Sequence, residues 1–407
     1  MRKNLIIGIL LFISYTITAQ SSLQVIPDWK EGEMEIHHIF AGGGESVFCI
    51  LPDGTTLLID AGDTGPHIDP RKTAISPNDS RNPGEWIARY IINRLQFKDH
   101  QTIDYAFLTH FHNDHMGGVY ENSKKTNNGG TYYLSGITEV YEHINYDKLI
   151  DRDWPTYQYS SPQKGKGFDN YKNFIEWNKE KNELKVERFI PGTNKQFKLV
   201  KNPGNFPDFE IRNIVSNGEI WKGKGDKTKK HFPKGESVDE NKCSAGIRIS
   251  YGDFDYFNGG DLTGRLPLGS EPWKDIETPV GKALGEIEVC EANHHAWIDA
   301  MNENFLSYTK PQVIIQQINH ITHFNLSVLN SMVNKKINPN IKHVIPTNIP
   351  EISRAYYGPD ELKKITGEGG HVVIKVAPGG EEYSVFLLTT DDESFKIKSM
   401  YGPYNCN

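Results

Sequence analysis

Three histidines and one aspartate lie within six positions of the chain, directly after an apolar run that predicts a strand. The segment reads Thr109-His110-Phe111-His112-Asn113-Asp114-His115-Met116-Gly117-Gly118, and the strand before it is predicted from Tyr105 to Leu108. Side chains two positions apart on extended backbone point to the same side. His110 and His112 can therefore share one cation, which constrains the fold because the strand end must lie at a site.

The chain must turn after these two histidines, so Asp114 and His115 are presented from a loop toward a second position. Gly117 and Gly118 permit the tight backbone that begins the next helix. Neutral imidazoles and carboxylates suit zinc, iron or manganese, and two cations roughly 3.5 to 4 Å apart are common in hydrolytic sites. A solvated histidine-rich loop is the alternative, but the segment follows an apolar strand and ends in Gly-Gly rather than in a polar tract.

Strands punctuated by helices run from end to end of the chain, which favours one large α/β domain rather than two. The apolar patterns predict strands over 34–40, 46–51, 55–59, 105–108, 246–251, 254–258, 287–290, 313–316, 372–376 and 383–388, and helices over 83–100, 171–184 and 326–335. Residues 119–240 are polar, rich in Lys and Asn and broken by Gly and Pro. We interpret this stretch as an insertion into a single domain of residues 21–407.

Residues 1–20 have the pattern of a secretory signal peptide: two basic residues, an apolar run from Leu5 to Ile13 and a small-residue exit near Gln20. The run is too short to span a bilayer, so we expect export to the periplasm or medium without stable membrane insertion. Formal net charge is −7, and loss of Arg2 and Lys3 with the leader takes it from −7 to −9. A long nucleic acid is therefore not favoured as a partner.

The histidine-rich segment resembles the HxHxDH signature of the metallo-β-lactamase superfamily, which His110, His112, Asp114 and His115 match at all four positions. Within that superfamily the chain is similar to stand-alone relatives of the hydrolase domain of the bacterial DNA-uptake competence channel, over most of residues 34–390. The resemblance implies a four-layer αββα sandwich of two mixed β-sheets flanked by helices. It also implies one or two divalent metal ions, with zinc expected first and manganese or iron as alternatives.

Further segments take the places of other motifs in that family, and the resemblance implies their roles. Ala41 to Ser46 corresponds to a Gly-rich first turn, and Asp60 to an aspartate that supports the metal-binding histidines. Asp261 corresponds to the carboxylate that bridges the metals. One of His294 and His295 completes the second metal; the register favours His294 as the ligand and His295 as a catalytic group facing the substrate.

One feature of the chain departs from the family pattern, and a late histidine agrees with one branch of it. Many members place another histidine ligand between HxHxDH and the bridging aspartate, but only His143 and His231 lie in that interval, and neither position suits a ligand. His323 falls where the competence-like branch has a late histidine, so it is a candidate for supporting the site from outside the ligand set.

The resemblance implies a hydrolase that uses a metal-bound hydroxide, with Asp114 orienting the nucleophile or taking its proton. We expect small or short phosphodiesters as substrates. Hydrolysis of a lactam, lactone or thioester is the alternative, because the fold does not choose between these bonds. A non-catalytic, metal-containing binding protein is a third possibility. The oligomeric state stays open.

Overall fold

The structure, a computed structural model, describes residues 24–65, 69–96 and 102–406. The predicted leader, residues 1–20, lies outside the described residues. In the described chain, no helix combines the length and the hydropathy that crossing a membrane requires.

The first sheet is mixed and, within the described residues, contains nine strands in the order β17-β16-β15-β1-β2-β3-β4-β5-β6. In chain order these strands are β1 (Met34–His38), β2 (Val47–Ile50), β3 (Thr56–Ile59), β4 (Ile103–Leu108), β5 (Tyr146–Asp151), β6 (Lys185–Arg188), β15 (His371–Val376), β16 (Glu382–Leu388) and β17 (Ile397–Asn405). Strands β3 to β6 run parallel, and the remaining neighbours pair antiparallel.

The second sheet is also mixed, with eight described strands in the order β14-β13-β12-β11-β10-β7-β8-β9. They are β7 (Phe209–Ser216), β8 (Glu219–Trp221), β9 (Thr228–Lys230), β10 (Gly246–Tyr251), β11 (Phe254–Asn258), β12 (Val289–Glu291), β13 (Val313–Gln316) and β14 (His343–Pro346). Strands β11 to β14 run parallel, so their carboxyl ends meet at one edge of the sheet.

Alternating burial along the strands divides the interior into layers. In β2, Val47 and Cys49 face the core between the two sheets, whereas Phe48 and Ile50 face the helices that cover the first sheet. Each such buried Val, Ile or Phe side chain contributes about 1.5 to 3 kcal/mol. A third core lies on the outer face of the second sheet and includes Phe257 and Ile314. The expected four-layer arrangement of two mixed sheets between helices is therefore confirmed.

The helices of the described chain cover both outer faces. They are α1 (Pro83–Arg94), α2 (Asn113–Met116), α3 (Ile137–His143), α4 (Lys166–Lys181), α5 (Glu277–Leu284), α6 (Glu303–Thr309), α7 (Leu326–Met332) and α8 (Glu351–Leu362). Apolar residues of α1, α3 and α4 pack in the core over the first sheet, and those of α5, α6 and α7 pack over the second. The helix predicted from residue 83 is α1, and it ends at Arg94 rather than at residue 100.

The stretch 119–240, interpreted above as an insertion, contributes to both sheets. It supplies β5 and β6 to the first sheet and β7, β8 and β9 to the second. Its polar composition is explained by solvent-facing helix and loop residues, while its aromatic side chains, Phe168, Tyr171 and Phe174 among them, are buried against the first sheet. Much of this stretch is thus part of the sandwich itself.

Candidate metal centre

The predicted site residues follow the carboxyl ends of strands in both sheets. Asp60 directly follows β3, and the histidine-rich segment follows β4, its parallel neighbour in the first sheet. In the second sheet, Asp261 follows β11 and the His294-His295 pair follows β12. Because parallel strands end at a common edge, these four segments converge where the two sheets meet.

The segment after β4 turns into the one-turn helix α2 immediately after His112, which precedes it as the N-terminal capping residue. Nε2 of His110 lies 3.1 Å from Nδ1 of His112, so the two rings face one point, as alternation on a strand end predicts. His110 is fully buried and His112 is partly exposed. The turn brings His115 behind them, with its ring centroid 4.1 Å from that of His110.

Asp261 lies between two groups of potential ligands. Its Oδ2 is 3.5 Å from Nε2 of His110 and 3.8 Å from Nε2 of His294. Its Oδ1 is 3.1 Å from Nε2 of His115 and 3.6 Å from Nε2 of His295. We call the group of His110, His112 and Asp261 the first cluster, and the group of Glu45, His115, Asp261 and His295 the second cluster. Within each cluster, one potential ligand atom of every residue lies within 4.8 Å of one from each of the others.

Asp114 lies beside the second cluster. Its Oδ2 is 3.4 Å from Nε2 of His295 and accepts a hydrogen bond of 3.4 Å from the amide of Asn319. Burial raises the pKa of Asp114, but His295 and His115 outweigh burial and hold that pKa well below its ordinary value. Burial likewise raises the pKa of Asp261, and the surrounding histidines hold it well below its ordinary value. Both carboxylates are therefore ionised and face the same space.

His294 and His295 point toward different clusters because their backbone is left-handed. The φ angles are 44° at His294, 52° at His295 and 58° at Ala296, a region that costs a residue with a side chain roughly 1–2 kcal/mol. His295, rather than the His294 favoured by register, lies in the second cluster. His294 faces the oxygen of Asp261 that belongs to the first cluster.

Each of three histidines is held through the nitrogen that faces away from the clusters. Nδ1 of His115 lies 2.8 Å from Oδ2 of Asp60, and Nδ1 of His294 lies 2.7 Å from Oδ1 of Asp299. Nδ1 of His295 lies 3.0 Å from the carbonyl oxygen of Gln317. Burial lowers the pKa of these three histidines, but Asp261 and other nearby carboxylates outweigh burial and raise it. A metal bound at Nε2 would therefore replace a proton there, while Nδ1–H keeps its partner.

The buried charges of this region fit divalent cations. Glu45, Asp60, Asp261 and Glu291 are each at most 1% exposed. Within the described chain, the ion pairs of these four carboxylates are with histidines and include no lysine or arginine. Four atoms of the second cluster are also buried without a hydrogen-bond partner in the described structure: Glu45 Oε2, His115 Nε2, Asp261 Oδ1 and His295 Nε2. A cation placed between these atoms would accept an electron pair from each of them, so that none would stay without a partner.

The structure places the remaining predicted residues at different distances from the clusters. His323 stacks on His295, with ring centroids 4.4 Å apart and an interplanar angle of 2°. Burial holds the pKa of His323 well below its ordinary value, so its ring is neutral. His143 ends α3 on the surface, and His231 follows β9; neither belongs to either cluster.

Sequence reasoning missed three residues at this centre. Glu45 belongs to the second cluster, and Asp299 holds His294. Asn241 lies in the interval where a further histidine was sought, and its Nδ2 is 3.0 Å from Nε2 of His294. Glu45 was within the Gly-rich turn already noted, but a single acid in such a turn gives no signal of its own. Asp299 and Asn241 became visible only through the positions of their neighbours in space.

Comparison of the sequence with protein families agrees with this geometry. Residues 42–179 match the family model of the metallo-beta-lactamase superfamily. This match confirms the resemblance predicted from the sequence at the level of the superfamily, over residues 42–179, and it suggests a metal-dependent hydrolase. The match includes residues 42–46 of the Gly-rich turn, Asp60 and the HxHxDH segment, whereas Asp261, His294 and His295 lie beyond it. The comparison with curated proteins finds no match for the chain. The narrower likeness to the competence-channel hydrolase stays a prediction.

Proposed function

We propose that residues 21–407 form one metallo-hydrolase domain that cleaves phosphodiester bonds in small or short substrates. The observation that carries this proposal is the position of Asp261, whose two carboxylate oxygens face separate histidine groups. That arrangement suits two neighbouring cations. Two bound cations would polarise a phosphoryl oxygen and lower the pKa of a coordinated water from about 15.7 toward about 7.

We assign the ligands from the distances around Asp261. His110, His112, His294 and Asp261 would hold one cation, and His115, His295, Asp114 and Asp261 would hold the other. In this assignment His294 would take the role of the histidine that the interval before Asp261 lacks, and its Nε2 would exchange the hydrogen bond from Asn241 for the cation. Zinc is the first expectation for both positions, with manganese or iron as alternatives, since mixed imidazole and carboxylate sets accept all three.

The chain's own residues then have distinct tasks in hydrolysis. Asp114 is ionised and partly exposed, and its Oδ2 faces the second cluster. In this position the carboxylate can orient a water molecule and accept a proton from that water. Asp60, Asp299 and the Gln317 carbonyl keep the lone pairs of three histidines directed inward. His323 packs flat against His295 and limits its rotation.

An anionic substrate is supported by the basic residues beside Asp114. Residues 71–73 pair with 319–321 through backbone hydrogen bonds, including Thr73 N to Asn319 O at 2.9 Å. This pairing places Arg71, Lys72 and His320 next to Asn319, whose amide contacts Asp114. Arg71 is paired with Asp69, and burial lowers the pKa of His320, so Lys72 is the cation of this group that favours a negatively charged phosphodiester over a neutral lactam or lactone.

The test is a substrate panel on metal-loaded protein, with metal content measured by elemental analysis. We expect hydrolysis of bis-p-nitrophenyl phosphate that exceeds hydrolysis of nitrocefin and of a lactone, and loss of both metal and activity in His112→Ala. Activity on the last two substrates alone would support the carbonyl hydrolase instead. Bound metal without turnover of any substrate would support a binding protein.

We also propose that the protein is exported, because residues 1–20 have the pattern of a cleaved leader. The N-terminal sequence of protein recovered from the periplasm or medium tests this proposal. A mature N-terminus near Gln20 is the expected result, and retention of full-length chain in the cell would contradict it.

A further inference from the structure

Glu45 has a carboxylate that the HxHxDH signature and the resemblance leave without a role. The residue is fully buried, and its Oε2 has no hydrogen-bond partner within the described structure. It is one of the four residues of the second cluster, together with His115, Asp261 and His295. One of its carboxylate oxygens lies within 4.8 Å of a potential ligand atom from each of these three residues, and Oε2 lies 3.9 Å from the His295 ring at Nδ1, so the carboxyl group faces the cluster.

The Gly-rich turn holds Glu45 against the histidine-rich segment. The backbone N–H of Glu45 donates to the carbonyl oxygen of Asp114 at 2.8 Å. This approach is possible because Gly44 precedes it with φ of 151°; a Cβ at Gly44 would lie only 2.2 Å from the same carbonyl oxygen. A Cβ at Gly62 would lie 2.0 Å from it. The position of Glu45 is therefore fixed by backbone packing and does not depend on a flexible loop.

The other oxygen of Glu45 is already bound. Asn258 donates to Oε1 of Glu45 at 3.3 Å and also to the neighbouring carboxylate of Glu291. Gln317 donates to Glu291 at 2.6 Å. Glu291 is thus satisfied by amides, and Oε1 of Glu45 is held by one of them. Oε2 is the oxygen that remains available for a ligand.

A buried carboxylate oxygen without a partner is costly, and its usual partners are hydrogen-bond donors or a cation. No lysine or arginine forms an ion pair with Glu45 in the described part of the chain. In the described structure, neither Nε2 of His115 nor Nε2 of His295 forms a hydrogen bond with Oε2, and the Nδ1 atoms of both rings are taken by Asp60 and by the Gln317 carbonyl. A divalent cation satisfies all of these atoms together.

We propose that Glu45 binds, through Oε2, the cation held by His115, Asp261 and His295. The inference rests on the proposed function in that it requires a metal centre, but it does not depend on the substrate. Because all four residues of the second cluster are buried and His112 of the first cluster is partly exposed, the second cluster binds the more slowly exchanging cation. The first cluster is the one open to exchange and to substrate.

The experiment is a cobalt(II) titration of metal-free full-length protein, followed by visible absorption and by competition with a chelator. We expect two equivalents to bind, and Glu45→Gln to weaken the tighter equivalent at least tenfold while changing its absorption spectrum. Glu291→Gln is the matched control, since it alters an equally buried carboxylate that shares Asn258 but presents no unpartnered oxygen to the cluster. It should leave both affinities within threefold of wild type.

Unchanged cobalt binding in Glu45→Gln would overturn the inference, and so would an equal loss in both glutamine variants. Should Glu45→Gln fail to give the circular dichroism spectrum of the folded chain, Glu45→Asp keeps the charge but shortens the reach. A tenfold or greater loss in that variant supports direct binding, and wild-type affinity contradicts it. Wild-type protein that binds cobalt but hydrolyses no phosphodiester would overturn the proposed function alone.

Discussion

His294 and His295 are consecutive in the chain, yet their Nε2 atoms face different oxygens of one carboxylate. Nε2 of His294 lies 3.8 Å from Oδ2 of Asp261, and Nε2 of His295 lies 3.6 Å from Oδ1. The left-handed backbone of both residues produces this divergence. One dipeptide therefore reaches both clusters, although the register of the sequence suggested that only one of the pair would be a ligand.

Alanine substitutions of the two histidines should remove different metal equivalents. We expect His295→Ala to abolish the tighter equivalent, since it deletes a residue of the buried second cluster, and His294→Ala to weaken the other equivalent about tenfold or more. Elemental analysis after dialysis against a graded chelator series measures both effects. Loss of the same equivalent in both variants would show that the two residues serve one position.

Asp299 should act on metal binding through His294. Its Oδ1 holds Nδ1 of His294 at 2.7 Å, and residues that orient a ligand in this way change metal affinity by about 10- to 100-fold when altered. We expect Asp299→Asn, which keeps a side-chain oxygen, to retain more affinity than Asp299→Ala. Chelator competition on metal-free protein is the measurement. Equal affinity of Asp299→Ala and wild type would remove Asp299 from this role.

Arg152 and Glu240 should stabilise the histidine-rich segment through its backbone. Arg152 is fully buried, its Nε donates to Glu240 at 2.9 Å, and the same Glu240 oxygen accepts the backbone N–H of Phe111, between His110 and His112. Removing one partner of a buried pair costs about 3–5 kcal/mol. We expect Arg152→Met to lower the free energy of unfolding by roughly that amount, as measured by urea denaturation of metal-free protein.

The double variant provides the check on this pair. Arg152→Met combined with Glu240→Gln removes both charges, so it should be more stable than Arg152→Met alone. A double variant whose loss equals the sum of the single losses would mean that the two residues stabilise the chain independently.

Glu139 predicts a pH dependence of stability away from the metal centre. Burial, followed by Asp63, raises its pKa from 4.5 to about 7. A raised folded-state pKa contributes stability that is fully present below pH 4.5 and is lost as pH rises to about 7. Glu139→Gln should therefore be more stable than wild type by only about 1 kcal/mol at pH 5, but by about 3 kcal/mol at pH 8. Urea denaturation at both pH values tests it, and equal differences at both would contradict it.

The strands and the histidine-rich segment could be predicted because their signals are local. The hairpin of residues 246–251 and 254–258 agrees with β10 and β11, and the strand 313–316 with β13. Strand β17 was missed because it lies at an exposed edge and contains Gly402 and Pro403, which usually mark turns. The hydrogen bonds to β16 hold this segment in a strand that its own sequence does not indicate.

The composition of the site was only partly predictable for a related reason. HxHxDH gives its ligands by spacing within one segment, whereas the roles of Glu45, Asn241 and Asp299 depend on segments that meet only in the folded chain. The choice between His294 and His295 also depends on positive φ values at residues other than glycine. Residues other than glycine usually have negative φ values, so the register of the sequence alone could not give the orientation of the two rings.

The two clusters draw their residues from both sheets, since His110, His112 and His115 follow β4, whereas Asp261 follows β11 and His295 follows β12. A bound cation would therefore cross-link the two halves of the sandwich at one edge without a covalent bond. Metal removal should therefore let the two sheets separate more often at that edge. Backbone amides of the core between the sheets would then exchange with deuterium faster in the metal-free protein, while amides under the outer helices would be less affected.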